Sequence, residues 1–192
     1  MKRKISLIFC LLAVGVLCHA QWEVGAGAGM AIPITGYGEV VKTGWLLNAE
    51  GKYRFKKGNF AVGMKAHMAR LQKDKNGNDT FQNARMTVAP FIFTAEFSAT
   101  KGKLQPYITG GLGISFYNIN YEVSPTEGKT IFNVSFTMMP LVGLRYAASK
   151  HIYPFVEWEW MLLADGPPIG FPKSSQLTGY QAICAGITYR FN

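Results

Sequence analysis

From Trp22 onward, apolar residues alternate with small or polar ones. Trp22, Val24, Ala26, Ala28, Met30 and Ile32 fall on one face, and Glu23, Gly25, Gly27, Gly29 and Ala31 on the other. This is the period of a β-strand whose two faces meet unlike surroundings. The next segment opposes Trp45, Leu47, Ala49, Gly51, Tyr53 and Phe55 to Leu46, Asn48, Glu50, Lys52 and Arg54. A third opposes Phe60, Val62, Met64, Ala66 and Met68 to Ala61, Gly63, Lys65, His67 and Ala69. Charges collect on one side only. Five further segments follow, at about Ala84–Ser98, Leu104–Ile119, Ile131–Ala147, Ile152–Ala164 and Leu177–Phe191, which brings the total to eight. The fourth is the least regular, because Val88 and Ile92 share a side with Glu96. Pro90 in the fourth segment and Pro140 in the sixth each remove a ladder donor, which predicts a bulge or an edge-like bend.

The connections alternate as regularly as the faces. "KKGN", "TKGK" and "ASKH" are tight, whereas Pro33–Gly44, Arg70–Asn83, Asn120–Thr130 and Asp165–Gln176 are long. Hairpins with a short turn at one end and a long loop at the other are the pattern of a barrel with periplasmic turns and external loops. The fold class expected is all-β, an eight-stranded antiparallel up-and-down transmembrane barrel, with both termini on the short-turn side. A tight turn at "KKGN" sets Glu50 opposite Lys65 and Asn48 opposite His67, a register that predicts cross-strand ion pairing.

The charged face decides which way the barrel is turned. It carries Glu23, Glu50, Glu96, Glu157 and Glu159 against Lys52, Arg54, Lys65, Arg145 and Arg190, with His67 among them. Placed outside in water, that face would force Trp22, Trp45, Tyr53, Phe55, Phe60, Tyr146, Trp158, Trp160, Tyr189 and Phe191 into a narrow lumen. At strand ends on the outer wall these ten side chains instead suit a membrane interface, where an apolar ring meets hydrocarbon and a polar tip meets headgroups. Gly25, Gly27, Gly29, Gly63, Gly111, Gly113, Gly143 and Gly186 then leave room inside for long charged chains. A lumen of eight strands is only just wide enough for its own side chains, so the reading is a filled polar core and no open pore.

The N-terminus settles the route. "MKRK" followed by the apolar run "ISLIFCLLAVGVL" and by Cys18-His19-Ala20 reads as a cleaved signal peptide over residues 1–20, leaving a barrel domain over 21–192. Cys10 and Cys18 leave with it, so Cys184 has no disulfide partner and reads as a small wall-filling residue. The formal charge of +9 includes Lys2, Arg3 and Lys4, and +6 remains after cleavage. Export and the lack of a basic stripe interleaved with stacking aromatics argue against nucleic acid. No later apolar run has the roughly 18 residues of a membrane helix, a test that does not detect barrel strands.

The last strand, ending "ITYRFN", resembles the terminal strand of the small eight-stranded outer-membrane barrel proteins of double-membraned bacteria, the group containing the OmpA transmembrane domain and OmpX. "QPYITGGLGISF" is similar to a Pro-Tyr, Gly-rich strand frequent in that group. The resemblance implies an outer-membrane location and an assembly signal at Ile187, Tyr189 and Phe191 read by the outer-membrane assembly machinery. Asn192 departs from the pattern by following the final aromatic.

Candidate chemistry is sparse. His67 with Glu50 or Glu159 makes an acid–base pair on paper, but a packed lumen gives substrate no approach. "DKNGND" has alternating Asp74, Asn76 and Asn78, yet its glycine comes early and Arg85 stands where a calcium loop needs glutamate, so it reads as an Asn-Gly turn. No metal or cofactor is expected. Lys56, Lys57, Lys101, Lys103 and Lys150 in the tight turns face anionic headgroups of one leaflet, and Arg70, Lys73, Lys75, Arg85, Lys129 and Lys173 face lipopolysaccharide phosphates on the other. The function expected is a monomeric, non-enzymatic surface-interaction or structural protein whose external loops meet an unidentified ligand. The alternatives are a narrow OmpW-like path for small or apolar solutes and a lipid A-modifying enzyme.

Overall fold

The computed structural model describes residues 20–34, 41–55, 59–72, 82–124, 127–164 and 178–191, and the expected signal peptide lies outside them but for Ala20. Eight strands run in chain order: β1 Ala20–Ile34, β2 Gly44–Phe55, β3 Phe60–Gln72, β4 Gln82–Ser98, β5 Leu104–Ser124, β6 Glu127–Tyr146, β7 Ile152–Leu163 and β8 Thr178–Arg190. Each pairs antiparallel with its sequence neighbours, and β8 returns to β1 from Glu23↔Arg190 to Ile34↔Gly179, closing the barrel. Closure leaves no strand edge unpaired, as a wall in hydrocarbon requires.

The alternation in the sequence becomes the two faces of this wall. Trp22, Val24, Met30, Phe93, Ile108, Leu112, Val156, Ile183 and Ile187 stand exposed on the outside. Their inward neighbours Glu23, Ile92, Thr94, Thr109, Glu157, Cys184 and Thr188 are buried. A continuous apolar exterior on a closed barrel is stable only against lipid, so the barrel is transmembrane.

The start of β1, the end of β8 and the turns at 99–103 and 147–151 share one end of the barrel, here called the turn end. The Ser149 hydroxyl ties the β6–β7 turn by accepting from the amides of His151 (3.2 Å) and Ile152 (3.0 Å). His151 in the same turn is half-buried, stacks on Tyr189 and places Nδ1 2.9 Å from the Arg190 carbonyl.

Three expectations need correction. The segment Asn120–Thr130 is no long loop: β5 and β6 continue pairing through Asn120↔Thr130, Tyr121↔Lys129 and Ser124↔Glu127, with one register shift between Glu122 and Ser124. Its Asn, Tyr and Glu residues read as loop chemistry because the ladder needs no apolar alternation there. Pro90 and Pro140 make no bulge. The β3–β4 ladder skips from Ala66↔Phe91 to Ala69↔Val88, and the β6–β7 ladder from Met138↔Leu162 to Leu141↔Glu159, with register kept on both sides. A missing N–H opens one side of the ladder, while each proline stays paired on its other side, with Ser115 and Gly110 respectively.

The lumen is also not polar throughout. Its turn-end half holds the charges, but its loop-end half is a mainly apolar core, with Leu46, Leu71, Met86, Val88, Ile119, Met161 and Leu163 beside the buried hydroxyls of Ser115, Ser135 and Thr137. Val88 and Ile92, irregular in the sequence, are lumen residues of this core.

Inward glycines set how closely the lumen packs. A Cβ on Gly25 would lie 2.8 Å from the Glu50 side chain. At Gly143, Gly111 and Gly186 the space is taken by Tyr107, Ile92 and Phe155, so apolar rings and methyls use the room as much as charged chains do. On the outer wall a Cβ at Gly110 would meet nothing within 4 Å. Gly25→Ala therefore costs about 1–3 kcal/mol by overpacking, whereas Gly110→Ala changes stability by less than about 0.5 kcal/mol. Urea unfolding of both variants in detergent micelles checks the contrast.

Candidate functional site

The inward face of each strand delivers one or more polar groups to the turn-end half of the lumen, and their reach decides who meets whom. Glu23 on β1 accepts from Arg54 Nε at 2.7 Å and Nη2 at 3.2 Å, and from Arg190 Nε at 2.7 Å. Arg145 Nη1 lies 3.5 Å from the same carboxylate. Glu96 on β4 gathers three cations: Lys52 Nζ at 2.8 Å, Arg54 and Arg145. The Ser98 hydroxyl accepts from Arg145 Nη2 at 2.8 Å and Arg54 Nη1 at 3.2 Å, and donates to Glu96 at 3.2 Å.

Tyr107 on β5 links this cluster to a second one. The Arg145 guanidinium carbon sits 4.4 Å from the centre of its ring, and its hydroxyl donates to Glu157 Oε1 at 2.7 Å. Glu157 also accepts from Lys65 Nζ at 2.5 Å, and Lys65 reaches Glu159 at 3.0 Å. Glu159 lies 3.3 Å from His67 Nδ1, out of hydrogen-bond alignment, and accepts from the Cys184 thiol at 3.6 Å. Lys52 joins Glu50 at 2.7 Å, and Thr188 donates to Glu50 at 3.3 Å. One connected network thus takes a residue from each of the eight strands.

All eleven ionisable residues named from the sequence point inward and belong to it: Glu23, Glu50, Lys52, Arg54, Lys65, His67, Glu96, Arg145, Glu157, Glu159 and Arg190. The register is also as derived, with Glu50↔Lys65 and Asn48↔His67. The ion pairing follows another rule. Lys65 reaches across the lumen to β7, and Glu50 pairs with Lys52 two positions along its own strand. In a barrel this narrow, a long side chain reaches the far wall as easily as its register partner. Sequence reasoning missed Tyr107, Ser98 and Tyr153, which are buried on inward positions. Their signal was parity with the charged residues of the same strands.

The ten aromatics lie on outward positions. Trp22, Trp45, Phe55, Phe60, Tyr146, Trp158, Tyr189 and Phe191 are exposed and Trp160 half-buried. Tyr53 is only 9% exposed because Trp22 and Phe55 flank it edge-on, with ring centres 5.5 and 5.2 Å away. Trp158 departs from the strand-end rule: it pairs with Val142 and Ile183 midway along β7, and its indole N–H donates to Gln181 at 3.2 Å. Ile187, Tyr189 and Phe191 are exposed side by side on the final strand and just beyond it.

His67, Glu159 and Cys184 bring residues of catalytic types to close range, and all three are enclosed. The loop 74–79 and residues Lys56, Lys57, Lys73, Lys75 and Lys173 lie outside the described residues. Arg85 is exposed and Arg70 half-buried on the outer wall near the end opposite the termini.

Glu96 is the joint of the network, so its loss strands three cations. Glu96→Gln keeps the shape and removes the charge, and it lowers stability in micelles by about 3 kcal/mol or more. A urea midpoint unchanged from the parent contradicts this pairing.

No family model matches the sequence, and no curated protein matches it. Solved structures do resemble it. The outer membrane protein OprG of Pseudomonas aeruginosa is 15% identical with a TM-score of 0.62, covering 90% of this chain and 96% of that one. A major outer membrane protein of Thermus thermophilus is 12% identical with a TM-score of 0.62, covering 90% and 99%. Ail, the attachment invasion locus protein of Yersinia pestis, is 14% identical with a TM-score of 0.53, covering 90% and 97%. The chain has the fold of the small eight-stranded outer-membrane β-barrels.

Proposed function

We propose that this protein is a non-enzymatic integral outer-membrane barrel, with both termini in the periplasm, that acts through surfaces at the ends of the barrel and not by passing solutes through it. The observation that carries this reading is the ionic plug. Arg54, Glu96, Arg145, Lys65, Glu157 and Glu159 cross the lumen at buried positions, and the loop-end half beyond them is filled by mostly apolar side chains. A path through the barrel would have to break several buried ion pairs at once. With the lumen closed and the wall in lipid, the external ends of the hairpins remain as the interaction surface, held in place by a rigid scaffold. The longest hairpin, β5–β6, continues its ladder to Ser124↔Glu127 and presents such an end. Ail, one of the structurally similar proteins, is named for attachment and invasion.

In this reading Ile187, Tyr189 and Phe191 serve assembly, the turn-end aromatics sit at one membrane interface, and lipopolysaccharide phosphates meet the basic residues at the external end.

A second reading rests on the apolar loop-end half of the lumen, which suits entry of an apolar solute from outside. Flux assays separate the two. Proteoliposomes containing the purified barrel neither swell in pentose solutions nor show conductance steps above protein-free vesicles, and porin-like swelling contradicts the proposal. On intact cells, added protease cuts within residues 73–81 or 165–177 and spares the turns at 100–103 and 148–151. Cleavage at those turns would reverse the orientation.

A further inference from the structure

The charges of the lumen balance as a whole but not by height. Deep in the network Lys65 faces two carboxylates, Glu157 and Glu159. Lys52 and Glu50 offset each other. At the turn end, Arg54, Arg145 and Arg190 face only Glu23 and Glu96, which leaves one positive charge in excess there.

Above that excess the turn-end mouth opens as a cavity of about 330 Å³. Arg54, Arg190 and Ser98 line its inner side, and Lys101, Lys103 and Gln105 its rim. Among the described residues no carboxylate lines it. Tyr153, also in the lining, holds the Arg190 guanidinium in place: its hydroxyl accepts from Nη1 at 2.7 Å and its ring stacks 4.0 Å below. The Gln105 amide is fixed likewise, donating to the Gly102 carbonyl at 2.9 Å. Cations on rigid supports, amide and hydroxyl donors, and a volume at the lower end of the range for small-molecule sites together describe a receptor for an anion.

We infer that the turn-end mouth is a binding site for a small phosphate monoester, of the size of glycerol phosphate or a sugar phosphate. A doubly charged tetrahedral group meets Arg54 and Arg190 of the lining together with the two rim lysines, and the remaining volume takes the esterified part. The same phosphate monoester is carried by phosphatidic acid, an anionic phospholipid whose polar end folds into the mouth. The inference does not depend on which compartment the turn end faces.

The test uses the full barrel refolded in zwitterionic micelles at low ionic strength, where exposed charge is least screened. Titration with glycerol 3-phosphate, followed by amide NMR, shows saturable shifts at Thr100, Gly102 and Gln105, and glycerol produces none. The double variant Lys101→Gln/Lys103→Gln alters only exposed turn residues, keeps heat-dependent gel mobility as proof of folding, and weakens binding about 5-fold or more. Saturation by free glycerol 3-phosphate assigns the site to a soluble ligand. Shifts at the same residues with lyso-phosphatidic acid alone, with the same dependence on the two lysines, assign it to a lipid headgroup. Absence of saturation with both probes, equal shifts with glycerol, or binding unchanged in the double variant overturns the inference.

Discussion

A charge held away from water must have a partner, and in a barrel with lipid outside and side chains inside the partner has to come from another strand or from the same one. Breaking such a pair costs several kcal/mol, whereas replacing all of it with well-packed apolar groups can cost nothing. The ionic network is therefore best understood as a device for specificity. Glu96 is satisfied only when β2 and β6 stand where they do, and Glu23 only when β8 has come round to β1. Closure of the barrel and completion of the network are one event.

The same constraint explains the division of the lumen. Where the strands carry charges inward, glycines and Tyr107 let long side chains cross and meet. Beyond Ile92 and Met139 most inward positions turn apolar, and the polar ones on β5 and β6 satisfy one another, Ser115 with Thr137 and Asn133 with Tyr117. At the border Asn48, His67 and Tyr180 keep polar atoms that no group among the described residues satisfies. Pro90 and Pro140 interrupt the ladder near this height while preserving register, so the wall tolerates a missing hydrogen bond more readily than a shifted face.

Much of this was legible in the sequence because a period of two assigns faces without ambiguity wherever the faces differ. Strand number, inversion of the barrel, the Glu50↔Lys65 register and the inward aim of all eleven ionisable residues follow from parity and one tight turn. Parity says nothing about reach, so the partners of Lys65 on β7 were out of sight. It also falls silent when both faces are apolar, as at Val88 and Ile92, or both polar, as along the β5–β6 hairpin beyond Asn120. The strand-end rule for aromatics failed at Trp158, where Gln181 satisfies the indole on the wall itself.

The central claim is the inversion, grease outside and polar groups within, and adjacent positions on β8 test it with one reagent pair. Cys184 is buried in the lumen beside Glu159, and Ile183 is 54% exposed on the outer wall. In the folded barrel in lipid bilayers, the native Cys184 should resist both a water-soluble and a lipid-soluble maleimide until the protein is heat-unfolded. A cysteine at the neighbouring position, in Ile183→Cys/Cys184→Ser, should react with the lipid-soluble reagent alone. Ready labelling of native Cys184 by the lipid-soluble reagent, with the 183 position open to the water-soluble one, would show the faces to be reversed.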